Sequence, residues 1–144
     1  MRKYILMFVL IICHCLVFAD EPKKEQEEEY KPIEDLAPII NSFMSSARYS
    51  VSVAAPIEHD SSGYKIIVQA DEKFYSKDDE DEFIMSCCIA TALATRLVEE
   101  TTTYLHILVD KKYFKIETKY CRKAIPGGKK KADFEIIWDN IQMK

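Results

Sequence analysis

Histidine, the side chain best suited to acid–base and metal chemistry near neutral pH, is scarce in this chain. Two histidines follow residue 19, and one of them, His59, stands between Glu58 and Asp60. This trio could hold a metal ion weakly, but adjacent residues of an extended chain point in different directions, and no further His or Cys cluster has ligand spacing. We therefore expect no metal site and interpret residues 58–63 as a polar connecting loop.

The second histidine, His106, is the other candidate for catalysis. A small secreted enzyme would need a cleft that gathers His106 or His59 with carboxylates such as Asp110. The sequence contains no G-x-S-x-G or other nucleophile motif, and its cysteines and histidines lack the local context of Cys–His catalysis. His106 shares a strand face with Tyr104 and Leu108, which favours a partly buried cross-strand role, and no cofactor is indicated.

Three cysteines follow residue 19, namely Cys87, Cys88 and Cys121. Neighbouring residues of a helix point about 100° apart, so at most one of the first two should face Cys121. Cys87 lies nearer the centre of its helix's apolar stripe, which makes Cys87–Cys121 the preferred pair if a disulfide forms. Three reduced, buried cysteines are the alternative. The adjacent pair lacks the C-x-x-C spacing of redox motifs.

Charge is unevenly distributed along the chain. Residues 71–82 contain seven acidic against two basic side chains, whereas residues 111–131 contain nine basic side chains against one acidic. The sequence thus predicts a basic surface on an acidic protein, and the candidate binding residues are Lys111, Lys112, Lys115, Lys119, Arg122 and Lys123. Such a surface could meet a protein, an anionic envelope polymer, a membrane surface or the chain's own acidic segment. Lysines that merely blunt exposed strand edges are the alternative.

The first nineteen residues have the features of a secretory signal peptide. Arg2 and Lys3 precede an apolar run over residues 5–18, and small residues at the −3 and −1 positions favour cleavage after Ala19. The run is about 14 residues, roughly 21 Å as a helix, which is short for a bilayer. We predict a secreted or periplasmic protein and favour it over a lipid-anchored or signal-anchored form. The mature chain then has 18 basic and 24 acidic side chains, which gives no reason to expect nucleic acid as a partner.

Residues 20–35 carry eight acidic and three basic side chains with little to bury, which predicts a disordered acidic tether. A single domain is expected over residues 36–144. Apolar spacing of three and four residues predicts a first helix over residues 36–46, and alternation predicts strands over residues 49–55 and 64–70 that pair antiparallel, the second being central. Ser76 and Asp79 then form a capping box for a long helix over residues 77–100.

This long helix is apolar on two sides. Its centre carries no charge, and Met85, Ile89 and Ala92 lie opposite its main stripe, so the first helix is expected to cover them. A hairpin is predicted from strands over residues 103–109 and 114–120, followed by a turn at residues 126–128 and a last strand over residues 133–138. That last segment also has helical spacing. The order αββαβββ predicts a two-layer α+β domain with an antiparallel sheet of four to five strands.

Composition and motifs together predict an exported, non-enzymatic binding or accessory domain that contacts a protein or envelope partner. The basic hairpin would make the contact, as would the second side of the long helix if the first helix left it uncovered. A small secreted enzyme and a membrane-tethered structural module are the alternatives.

Overall fold

The computed structural model describes residues 30–98 and 103–144. The predicted signal peptide and residues 20–29 of the predicted tether lie outside the described residues. The helices and strands, labelled in chain order, are α1 (Leu36–Ser46), β1 (Val51–Val53), β2 (Glu58–Asp60), β3 (Gly63–Ala70), α2 (Lys77–Thr95), β4 (Thr103–Val109), β5 (Lys112–Glu117), α3 (Thr118–Ala124), α4 (Glu135–Asn140) and β6 (Gln142–Met143). None of the described helices has the length and apolar character required to cross a membrane.

The fold class is α+β, with one long helix and a short N-terminal helix, as the sequence predicts. Its sheet has the order β1-β3-β4-β5-β6, with β2 paired to the first half of β3. The pair β3–β4 is parallel and the other pairs are antiparallel, so the sheet is mixed and the expectation of an entirely antiparallel sheet is wrong. The reason is that α2 carries the chain back to the end where β3 began, and such a crossover makes neighbouring strands parallel.

The core is built around α2. Ser76 caps this helix, its Oγ accepting the Asp79 N–H at 3.1 Å. Every residue from Phe83 to Ala92 is buried, because the sheet, α1 and α3 surround the helix. The second side, which includes Met85 and Ile89, is therefore not available for a partner.

Helix α1 begins and ends where the sequence predicts, and Leu36, Ile40 and Met44 are fully buried. Order extends further towards the N-terminus than the predicted domain boundary. A 3₁₀ turn, Ile33–Asp35, leads directly into α1, and the Lys31 N–H donates to the Leu97 carbonyl at 2.7 Å. Part of the predicted tether therefore contacts the domain, through the backbone of Lys31 and the partly buried side chain of Ile33.

Several predicted elements and bounds are wrong. The first strand covers Val51–Val53 instead of residues 49–55, and β5 begins at Lys112 instead of residue 114. Helix α2 ends at Thr95 instead of residue 100, and the loop expected at residues 58–63 contains strand β2. Strand β5 ends at Glu117 instead of residue 120. The segment expected as a strand over residues 133–138 forms α4 and the two-residue β6. Here helical spacing prevails: Ile137, which the strand pattern would place on the outer face, is fully buried, whereas Trp138 is exposed.

Helix α3 replaces the end of the predicted hairpin strand. Thr118, Cys121 and Ala124 are buried at a spacing of three residues, which places them on one helical face against α2. The Thr118 hydroxyl donates to the Thr103 carbonyl at 3.2 Å and fixes the first turn. This helix carries three of the candidate binding residues, so its packing determines where they lie.

Candidate functional site

The six predicted binding residues do not form one patch. Lys111 lies in the turn between β4 and β5, Lys112 and Lys115 lie on β5, and the remaining three lie on α3. Since β5 is six residues long and a strand rises about 3.3 Å per residue, roughly 20 Å separates the turn from α3. The sequence cluster is therefore spread along the molecule.

Three of these lysines already have partners. Lys112 Nζ lies 2.8 Å from both carboxylate oxygens of Glu80. Lys119 Nζ lies 2.7 Å from Glu117, and this hydrogen bond raises the pKa of Lys119. Lys115 Nζ stands 4.3 Å from the centre of the Tyr104 ring, a cation–π contact. The turn and β5 therefore have less uncompensated positive charge than the sequence indicates.

A different group of cations is brought together by Arg96, the residue that follows α2. Its guanidinium donates to the Arg122 carbonyl at 3.3 Å and also to the Ile125 carbonyl. These carbonyls belong to the C-terminal end of α3, where backbone acceptors lack intrahelical partners. Burial lowers the pKa of Arg96, and the nearby charge of Arg122 lowers it further. Arg96 thus joins the C-terminal ends of α2 and α3.

The loop after α3 adds three lysines to this region. Gly127 has a φ of +69°, and a Cβ there would stand 3.0 Å from the Arg96 guanidinium, so the loop passes closely over Arg96. The Asp133 N–H donates to the Ala124 carbonyl at 2.9 Å and returns the loop to the end of α3. We call the resulting surface the basic pole; it consists of Arg96, Arg122, Lys123, Lys129, Lys130 and Lys131.

The basic pole is not neutralised by the described part of the chain. Four salt bridges form among residues 30–98 and 103–144, and none includes a residue of the pole. The first turn of α2, by contrast, contains Asp78, Asp79 and Glu80. The 19 residues of α2 span about 28 Å, so acidic and basic groups lie at opposite ends of the helix, each at the end that the helix dipole favours.

His106 lies at the centre of the sheet face opposite α2. Its Nδ1 is hydrogen-bonded to the Tyr113 hydroxyl, and its buried Nε2 has no partner among the described residues. Burial lowers the pKa of His106, as do the charges of Lys115 and Lys65, against the opposing influence of Glu58 and Asp60. The ring is therefore mainly neutral at pH 7.

The residues named for the enzyme alternative lie on separate parts of the described structure. His59 is exposed on β2 and stacks on Tyr64 with ring centres 4.4 Å apart, and Asp110 lies in the β4–β5 turn. Three surface grooves of about 310, 440 and 510 Å³ are formed by described residues, and none of these three contains His59, His106 or Asp110. Within the described ranges, no group of three or more His, Cys, Asp or Glu side chains is arranged to hold a metal ion.

Cys87, Cys88 and Cys121 are buried, free thiols. The predicted Cys87–Cys121 bond is not present in the structure, where Cys121 lies beside Cys88. This contact and burial raise the pKa of Cys88, and burial raises the pKa of Cys87. A Cys87–Cys121 disulfide in the exported protein stays a prediction.

Sequence reasoning missed Arg96 and left Lys129, Lys130 and Lys131, which follow the predicted turn, out of the candidate binding residues. One signal was available: Arg96 is the sole charged residue between Phe83 and Val98. A lone arginine that ends an uncharged helix stands where it can bind carbonyls at a helix C-terminus. Comparison of the chain with protein-family models, with curated proteins and with solved structures finds no match.

Proposed function

We propose that this chain is an exported, non-enzymatic binding domain that contacts an acidic polypeptide through its basic pole. The observation that carries the proposal is the group of six cations for which the described residues supply no carboxylate partner. Export is supported by the signal-peptide features of residues 1–19.

The pole is also held in a defined shape. Arg96 is fixed by two backbone carbonyls, and the loop that carries Lys129–Lys131 is tied to α3 through Asp133. Charges on rigid elements lose less side-chain and loop entropy on binding than charges on a loose tail. Because its charges are held in place, this cationic surface is better explained by recognition of carboxylates than by a general contribution to solubility.

The experiment compares two variants with the same change in net charge. In the pole variant, Lys123, Lys129 and Lys130 become Gln; in the hairpin variant, Lys111, Lys112 and Lys119 become Gln. Binding to a fluorescent polyglutamate peptide is measured at low ionic strength and again at about 0.15 M salt, where the Debye length is about 8 Å.

We expect the pole variant to lose at least about ten-fold in affinity, equivalent to about 1.4 kcal/mol, and the hairpin variant to lose much less. Equal losses would mean that only net charge matters and would overturn the assignment to the pole. Absence of binding by the unmodified protein, or binding to anionic vesicles in preference to the peptide, would reject an acidic polypeptide as the partner.

A further inference from the structure

The basic pole lacks compensating charge although the protein is acidic overall. The mature chain has six more acidic than basic side chains, yet Arg96 and Arg122 lie close together without a carboxylate from the described residues. Like charges near a partly buried position raise the free energy of the charged state unless an anion lies nearby. The acidic residues outside the described ranges are therefore candidates for that anion.

The described chain begins beside the pole. Lys31 pairs with Val98, and its N–H donates to the carbonyl of Leu97, the residue directly after Arg96. Only Tyr30 separates residues 20–29 from this contact in the chain. The segment immediately before the contact is therefore tethered at the end of α2 that carries the pole.

The spacing along the chain limits how far the acidic residues can lie from this point. Glu27, Glu28 and Glu29 precede Lys31 by two to four residues. An extended chain spans at most about 3.5 Å per residue, so even the backbone of Glu27 lies within about 14 Å of Lys31. Because short flexible linkers give effective concentrations in the millimolar range, even a weak attraction would keep the segment at the pole.

The charges of the two parts are complementary. Residues 20–29 contain six acidic side chains and two lysines, whereas the pole contains six cations. We propose that residues 20–29 bind the basic pole of the same molecule and compete there with an acidic partner. The competition rests on the proposed function, but the intramolecular contact does not.

The contact itself is tested without any partner. The Nε–Hε signal of Arg96 and the amide signal of Lys123 are followed by NMR in the exported protein, in a variant with Glu27, Glu28 and Glu29 changed to Gln, and in a control with Glu72→Gln and Asp78→Asn, two exposed acidic residues at the opposite end of α2. The first variant is expected to shift both signals in the direction that high salt shifts them in the unmodified protein. Unmoved signals, or signals moved by the control variant alone, would overturn the proposal.

Competition is measured with the polyglutamate peptide. Neutralising the three glutamates should strengthen peptide binding by about ten-fold at low salt, and the control variant should bind like the unmodified protein. If the NMR signals shift but no form binds the peptide, the intramolecular contact stands and the proposed function fails. If all forms bind the peptide equally and no signal shifts, the proposed function stands and the intramolecular contact is refuted.

Discussion

Replacing Arg96 by Met should destabilise the domain, because the arginine links the ends of α2 and α3. Methionine keeps a long apolar side chain but donates no hydrogen bond to the Arg122 and Ile125 carbonyls. Each hydrogen bond from a charged group contributes about 1.5–3 kcal/mol, so two such bonds set an upper range of about 3–6 kcal/mol.

The net loss should be smaller than this range. Arg96 is partly buried beside Arg122, and its removal relieves both the burial of a charge and the repulsion between the two guanidinium groups. We therefore expect a decrease of about 2 kcal/mol in the free energy of unfolding. With an m-value of about 1.5 kcal/mol per molar urea, the unfolding midpoint falls by about 1.3 M.

The assay is urea unfolding, followed by far-ultraviolet circular dichroism. Lys123→Met is the matched control, because Lys123 is exposed on α3, the helix whose terminal carbonyls Arg96 binds, and its removal should change stability by less than about 0.5 kcal/mol. The loss of unfolding free energy in Arg96→Met should persist in 1 M salt, because salt screens the interactions of a partly buried group only weakly. A midpoint equal to that of the control would refute the role given to Arg96.

Three further predictions concern other parts of the fold. Ser76→Ala removes the oxygen that accepts the Asp79 N–H and should lower the free energy of unfolding by about 1 kcal/mol, with Lys77→Ala as a control in the same denaturation assay. Burial lowers the pKa of His106 below its value of about 6.5 in the unfolded chain. At a pH between the two pKa values the unfolded chain binds more protons than the folded chain, so the free energy of unfolding should fall as the pH drops below about 6.5. His106→Phe should reduce the change in the free energy of unfolding between pH 5 and 7, measured by urea titration. The same change in the variant as in the unmodified protein would show that His106 does not cause the pH dependence. The three buried thiols should react slowly with a thiol reagent in the native protein, and a chain that begins at residue 20 should give a count of three in denaturant, whereas a count of one would show that a disulfide has formed.

Elements with strong local signals were predicted well. Helix α1 has the predicted bounds because its buried residues follow the helical repeat without interruption. The Ser76 cap is also confirmed, because capping depends on residues that are three apart in the chain. The segment 133–138 was misassigned because Phe134 and Trp138 fit both spacings, and the full burial of Ile137 together with the exposure of Trp138 distinguishes them.

The strand directions could not be derived in the same way. Local alternation reports which face of a strand is buried but not which strand lies beside it. The parallel pairing of β3 with β4 arises because α2 returns the chain across the sheet, a property of the whole β3–α2–β4 unit. The expectation of an entirely antiparallel sheet treated each strand by itself.

The amino-acid sequence alone determined the α+β class, the long uncharged-centred helix and the separation of acidic from basic segments, because these depend on residues close together in the chain. Tertiary structure decided which cations are neighbours. Packing of α3 against α2 places Arg122 beside Arg96, whereas Lys112 and Lys119 are compensated by Glu80 and Glu117. Coulomb attraction depends on distance in space, so a run of lysines in sequence does not define a binding surface until the fold sets those distances.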